Sequence, residues 1–160
     1  MRKIKIYLDT SVISHLMAKD RPDRMAETTE LWNLLKQGVY NVYISPTVLE
    51  EIEACPEPKK SFMLNQLSQL DITILEDSQE VQYLASAYIQ HEVLSQSSLN
   101  DCLHIAYSVI ENIDYIVSWN FTHLVNVRTI NKVRIVNAIK HYREINIISP
   151  TMIIEKEIIL

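Results

Sequence analysis

With 160 residues and 48% hydrophobic side chains, the chain has enough apolar material for one well-buried core and too little length for a second domain of ordinary size, so residues 1–160 are expected to form a single domain. Glycine occurs once, at Gly38, which excludes a Walker loop or a dinucleotide fingerprint, since each needs several glycines for close backbone approach to phosphate. The formal net charge of -5 means that any contact with a phosphate backbone must be made by a local basic surface, within a Debye length of ~8 Å, and not by the molecule as a whole.

Residues 3–8 alternate Lys with apolar side chains and stop at Asp9-Thr10-Ser11, a strand running into a helix N-cap cluster. This start is too charged for a signal peptide, and no apolar run approaches the ~20 residues that span a bilayer; a cytoplasmic protein without membrane contact is expected. Helical patterns follow at 14–18 and 26–36, where Leu31, Leu34 and Leu35 share a side, with a break near Arg21-Pro22-Asp23 and Gly38 as the stop. A short strand at 39–44 leads to Ser45-Pro46, an N-cap followed by a first-turn proline, and a helix over 47–54 that Pro56-Glu57-Pro58 closes. Next come a helix at 60–70, a strand at 72–75, helices at 78–92 and 98–112, a strand at 115–118, a helix at 129–142 and a strand at 145–148. Alternation of this kind predicts the α/β class, a three-layer α/β/α fold with a mainly parallel central sheet, in which sites gather beyond the carboxyl ends of the strands.

Four polar residues fall where such a sheet makes side chains converge. Asp9 directly follows the first strand; it is an N-cap or a functional acid, and Thr10 and Ser11 are both able to cap without it. In the helix whose buried stripe is Val48, Leu49 and Ile52, the 100° spacing puts Glu51 at the margin of the stripe and Glu50 nearly opposite, with Glu53 at the other margin. Asp101 follows Ser98 by three residues, the spacing of a capping box as well as of a site carboxylate in the first turn of a helix. Asn120 follows the fourth strand, as a turn former or as a further site group. Carboxylates gathered in this way suit a hard divalent cation, Mg2+ or Mn2+, which takes oxygen ligands and activates water; no serine, cysteine or histidine nucleophile occurs in a paired motif. Cys55 and Cys102 lack C-x-x-C spacing and read as two reduced thiols.

Charge is unevenly distributed. Residues 115–143 contain no Asp or Glu but carry Arg128, Lys132, Arg134, Lys140 and Arg143 together with His123 and His141, either a phosphate-binding surface or a solvated helix face. His104 lies one turn beyond Asp101, and a satisfied core or surface histidine is the favoured role for it. Trp119 and Phe121 are candidates for base stacking, with core packing the more frequent fate of such side chains.

Four segments, Tyr7-Leu8-Asp9-Thr10-Ser11-Val12, Ser45-Pro46-Thr47-Val48-Leu49-Glu50-Glu51-Ile52, Asn100-Asp101-Cys102-Leu103-His104-Ile105-Ala106 and Val117-Ser118-Trp119-Asn120, resemble in order and spacing the successive motifs of PIN domains. The resemblance implies a Mg2+- or Mn2+-dependent endoribonuclease, and among bacterial domains of this size a VapC-type toxin of a type II toxin–antitoxin pair. It implies Asp9, Glu51 and Asp101 as metal-holding acids, with Thr10 or Ser11 orienting Asp9 or the water. Asn120 stands where many members carry a fourth acid, which weakens binding of a second ion. RNA, a cognate antitoxin and a second copy of the chain are the partners it implies.

Two other functions remain open from the sequence. One is a catalytically weak PIN scaffold that binds RNA or a protein partner, which the neutral Asn120 favours. The other is a haloacid-dehalogenase-like phosphatase, which also begins with an aspartate after the first strand but needs a second one two residues later, where this chain has Ser11.

Overall fold

The computed structural model describes residues 2–155. Five strands, β1 (Lys5–Leu8), β2 (Asn41–Ile44), β3 (Ile72–Ile74), β4 (Tyr115–Val117) and β5 (Asn146–Ile148), form one sheet in the order β3-β2-β1-β4-β5, with every neighbouring pair parallel. Helices cover the sheet in a three-layer α/β/α arrangement, as the alternating pattern predicts. β1 is the central strand, and Ile6, Tyr7 and Leu8 are wholly buried, facing helices on both sides. At the edge, β3 is shorter and leaves Ile74 exposed.

The first helix begins sooner than the sequence suggests. Asp9 occupies its N-cap position and α1 (Thr10–Ser14) follows at once, extended by a 3-10 turn at His15–Met17. α2 (Pro22–Lys36) opens four residues before the expected 26, with Pro22 in its first turn, where the missing N–H is no loss. α3 (Pro46–Glu53), α4 (Lys59–Leu67), α5 (Gln79–Gln90), α6 (Leu99–Ile110) and α7 (Val127–Ile139) lie within a few residues of expectation. One further helix, α8 (Pro150–Glu155), follows β5 without a counterpart in the sequence reading, although Ser149-Pro150 repeats the Ser45-Pro46 pair that opens α3.

α5 and α6 pack closely, α7 lies against α5, α2 meets α8, and α1 packs with α3 and α4. Between α5 and α7 the buried Tyr88 hydroxyl donates to Asn137 Oδ1 at 2.6 Å, and Asn137 Nδ2 donates to the Arg143 carbonyl at 3.0 Å. Cys55 and Cys102 are both free thiols. Among the described residues no helix is long and apolar enough to cross a membrane.

Gly38 stops α2 in the way its position suggests: its φ is +73°, and its N–H closes the last turn on the Leu35 carbonyl at 3.1 Å. An added Cβ would meet nothing within 4 Å, so the cost of a side chain there is the left-handed backbone alone. Urea unfolding of Gly38→Ala should show a loss of about 1 kcal/mol, and Gly38→Asn a smaller one.

Candidate active site

Strand register determines which side chains meet at the carboxyl edge of the sheet. Tyr7 pairs with Tyr43, Leu8 with Val117, and Val117 with Ile148, so the residues just beyond the strands stand in a row: Ser45, Asp9, Ser118 and Ser149. All four are buried, Asp9 to 3% exposure. A carboxylate so far from water is costly unless its oxygens are hydrogen-bonded. Ser11 Oγ donates to Asp9 Oδ1 at 2.6 Å and Ser118 Oγ donates to Oδ2 at 2.6 Å. The two serines are themselves positioned by the turn after β4, since the Trp119 and Asn120 backbone N–H groups donate to Ser11 Oγ and Ser118 Oγ at 2.9 Å each. Asp9 makes no side-chain cap bond to α1, so N-capping does not account for it.

Glu51 reaches the same region from α3. Val48 and Ile52 are buried, Glu50 and Glu53 are exposed, and Glu51 is half-buried between them, as the helical spacing indicates. Its Oε1 accepts from Thr10 Oγ1 at 2.8 Å and from His104 Nε2 at 2.7 Å. Thr10 therefore holds Glu51, while Ser11 is the residue that orients Asp9. The His104 ring is 2% exposed, and its Nδ1 lies 2.6 Å from the Tyr7 hydroxyl, which is 2.7 Å from Ser45 Oγ. A protonated ring donates at both nitrogens, to Glu51 and to the Tyr7 oxygen, leaving Tyr7 to donate to Ser45.

Asp101 comes from the first turn of α6. Ser98 is the N-cap residue there but makes no side-chain cap bond, so no capping box forms. Asp101 Oδ2 lies 3.0 Å from His123 Nδ1, and Asn120 Nδ2 donates to Oδ1 at 3.4 Å. Asn120 also stabilises its own turn, its Oδ1 accepting from the His123 N–H at 2.9 Å. It is thus a turn former, with its amide beside Asp101.

The electrostatics tie these groups together. Burial raises the pKa of Asp9, against the opposing pull of His104, Ser11 and Ser118, and the charge of Asp101 raises it further. Burial likewise raises Asp101, with His104 and His123 opposing and the charge of Glu51 adding to the rise. For Glu51 burial also pushes upward, but the bond from His104, its charge, and bonds from Thr10 and Asn100 outweigh it and hold the carboxyl below its ordinary value. Burial lowers His104, yet the bond to Glu51 and the charges of Asp9, Glu51 and Asp101 prevail and its pKa is raised. His104 is thus the one imidazole whose pKa is raised by all three acids.

Oxygen donors of this kind match the chemistry of a hard divalent cation, and the way the acids raise one another's pKa is a repulsion that a cation relieves. Their present geometry is not that of a formed centre: among the described residues no three His, Cys, Asp or Glu side chains are grouped to hold a metal ion. Each carboxylate is turned instead toward hydroxyl, imidazole or amide partners.

The basic residues of 115–143 do not form a single track to the acids. Arg128 is exposed in the first turn of α7, and Lys132 Nζ donates to the Glu92 carbonyl at 2.8 Å. Arg134 lies 3.6 Å from Glu144, Lys140 covers the Tyr83 ring at 5.9 Å, and Arg143 donates to the Ile113 carbonyl at 2.8 Å. Ile113 precedes β4, so Arg143 is bound at the amino end of the sheet, opposite the acids. Trp119 is a core side chain, donating through Nε1 to Thr28 Oγ1 at 2.8 Å, whereas Phe121 is exposed with the Arg24 guanidinium 5.1 Å from its ring centre. His104 is a satisfied core histidine, as favoured from the sequence, while sequence reasoning passed over Ser118, Tyr7 and Asn100.

A parallel sheet in this order, with acids from β1, α3 and α6 and an amide after β4 at its carboxyl edge, defines a class of α/β domain. Residues 6–120 match the PIN domain, and the chain belongs to that family. A chain in the crystal structure of VapBC2 from Rickettsia felis, bound to a DNA fragment from their promoter, shares the fold with a TM-score of 0.54 and 16% identity, over 90% of this chain and 97% of that one. No curated protein matches the chain.

The buried hydroxyl–carboxylate pair makes a direct test of this geometry. Ser118→Ala strips one oxygen of Asp9 of its donor and should lower stability in EDTA at pH 7 by roughly 1.5–3 kcal/mol, the range for hydrogen bonds to charged groups, as read from urea unfolding.

Proposed function

We infer that the chain is a divalent-metal-dependent endoribonuclease, and the toxin of a type II toxin–antitoxin pair, whose metal-holding acids are Asp9, Glu51 and Asp101. The observation that carries this is the buried Asp9 carboxylate, raised in pKa and not needed as a cap, held at the carboxyl edge of the sheet within reach of the charge of Asp101. A buried carboxylate whose pKa is shifted by desolvation and by a neighbouring acid is the pattern of a functional site. Membership of the PIN family supports hydrolysis, and the motif resemblance together with the VapBC2-like fold supports the toxin assignment and a partner antitoxin.

Mg2+ or Mn2+ bound by these acids would supply charge to neutralise a phosphodiester and would acidify water for in-line attack on phosphorus. The chain's own residues do the positioning. Ser11 and Ser118 fix both oxygens of Asp9, Thr10 and His104 fix Glu51, and His123 fixes Asp101. Asn120 supplies an amide where the motif resemblance implies a fourth acid, so the site carries one negative charge fewer and a second cation would bind more weakly.

A second function, a scaffold that binds RNA or a protein without cutting, draws on the same Asn120 and on the lack of a formed three-ligand cluster among the described residues. Cleavage of a mixed RNA pool with Mg2+, Mn2+ or EDTA separates the two. Metal-dependent cutting is expected, reduced in Asp9→Asn and Asp101→Asn by more than the ~10–100-fold typical of residues that only support a metal ligand. RNA binding with no cutting under any divalent ion would select the scaffold.

A further inference from the structure

Beside the acids lies a cleft of about 660 Å3 between the α5–α6 connection and the turn leading into α7. His123 lines it and also contacts Asp101 at 3.0 Å, so the cleft and the acidic centre share a wall. Val93 and Leu94 give it an apolar side, and Ser95 and Gln96 a polar rim. Its volume falls inside the ~300–1,000 Å3 usual for small-ligand sites, which combine apolar surface with a few polar groups.

α7 brings one cation into the cleft and a second close to it. Arg128 lines the cleft, is exposed, and has no ion-pair partner within 4.0 Å among the described residues. Lys132, one helical turn further on, is drawn to the rim by its bond to the Glu92 carbonyl. Against them stands a single lining acid, Glu92. An anionic ligand with an apolar, hydrogen-bonding body fits this charge and this lining better than a cationic or purely apolar one.

We propose that this cleft receives one unstacked nucleotide of single-stranded RNA adjoining the scissile phosphate, with its own phosphate at Arg128 and its base between the Val93–Leu94 side and the Ser95–Gln96 rim. This rests on the nuclease function inferred above and adds to it a place for the nucleotide beside the scissile phosphate. A duplex keeps its bases stacked and paired, so it cannot place one in a side cleft without flipping it; an open strand presents each base freely. Arg128 is the phosphate-positioning residue, and the rim side chains are those that meet base edges.

The test is the affinity of a short fluorescent single-stranded RNA, followed by anisotropy, for the full chain carrying Asp9→Asn, with Mg2+ present and cleavage suppressed. Adding Arg128→Ala should weaken binding about tenfold and reduce the slope of log affinity against log salt by ~0.7, the value for one phosphate contact on a single strand. Adding Gln96→Trp, which fills the cleft without changing charge, should weaken binding as well. Lys36→Ala, an equal loss of charge at the amino end of the sheet, should change neither quantity. Unchanged affinity in both Arg128→Ala and Gln96→Trp overturns the proposal, as does absence of RNA binding by the parent chain. If those two substitutions spare RNA affinity but release a co-purifying protein, the cleft is a protein-docking site and the proposal falls. Failure of the nuclease function has a different signature: the wild-type chain cuts nothing while RNA affinity keeps its dependence on Arg128.

Discussion

Burial removes from Asp9 the water that would solvate its charge, and the polar residues around β1 are arranged to answer that loss. Two serine hydroxyls take one oxygen each, and two backbone N–H groups from the turn after β4 hold the serines in place. The sheet cannot slip by one residue without breaking this set, because a shift of one would replace Ser118 beside Asp9 with Val117 or Trp119. A single buried carboxylate thus pins the register of the two central strands, and through them the course of the chain into α1 and toward α7.

A second polar line runs through the core from Ser45 to Tyr7, His104 and Glu51. It joins the end of β2, the middle of β1, α6 and α3, so the imidazole holds three parts of the edge at fixed distances. Because His104 also feels the charges of Asp9 and Asp101, it partly compensates three carboxylates that would otherwise repel. Low dielectric sharpens both sides of this balance: the satisfied bonds are strong, and the residual repulsion persists. The repulsion left over is of the kind that a divalent cation relieves.

The fold was largely legible in the sequence because its signals are local. Each strand is a short, largely apolar run, and Pro46, Ser78 and Gly38 act on the backbone within a few residues of themselves, whereas Ser45, expected as a cap, makes no cap bond and pairs with Tyr7 instead. Glu51 could be separated from Glu50 by helical spacing alone. Ser118 could not be found that way, since its meaning lies in standing beside Asp9, a residue 109 positions away that only the β1–β4 register brings near. His104 is the satisfied core histidine favoured from the sequence, but its partners Glu51 and Tyr7 could not be named there for the same reason: they lie 53 and 97 positions away, whereas the neighbour visible in sequence is Asp101. Ser98 misled in the opposite direction, since its spacing to Asp101 matches a local motif that the preceding 3-10 turn displaces. The basic run was contiguous in sequence but is divided in space, because α7 carries its residues from one end of the sheet toward the other.

The strand order also imposes a timetable. A chain made from its amino end produces β1 early, with Asp9 at its tip, but β1 acquires one flanking strand from β2 and the other only when β4 is made. Until then Asp9 lacks Ser118, Glu51 lacks His104, and Asp101 lacks the turn that bears Asn120 and His123. Contacts of such long sequence separation form late, because loop closure must precede them. On the ribosome, the growing polypeptide therefore carries Asp9 and Glu51 as separate, solvated side chains until β4 and the turn after it have been made, and only then do the acids come together at the edge.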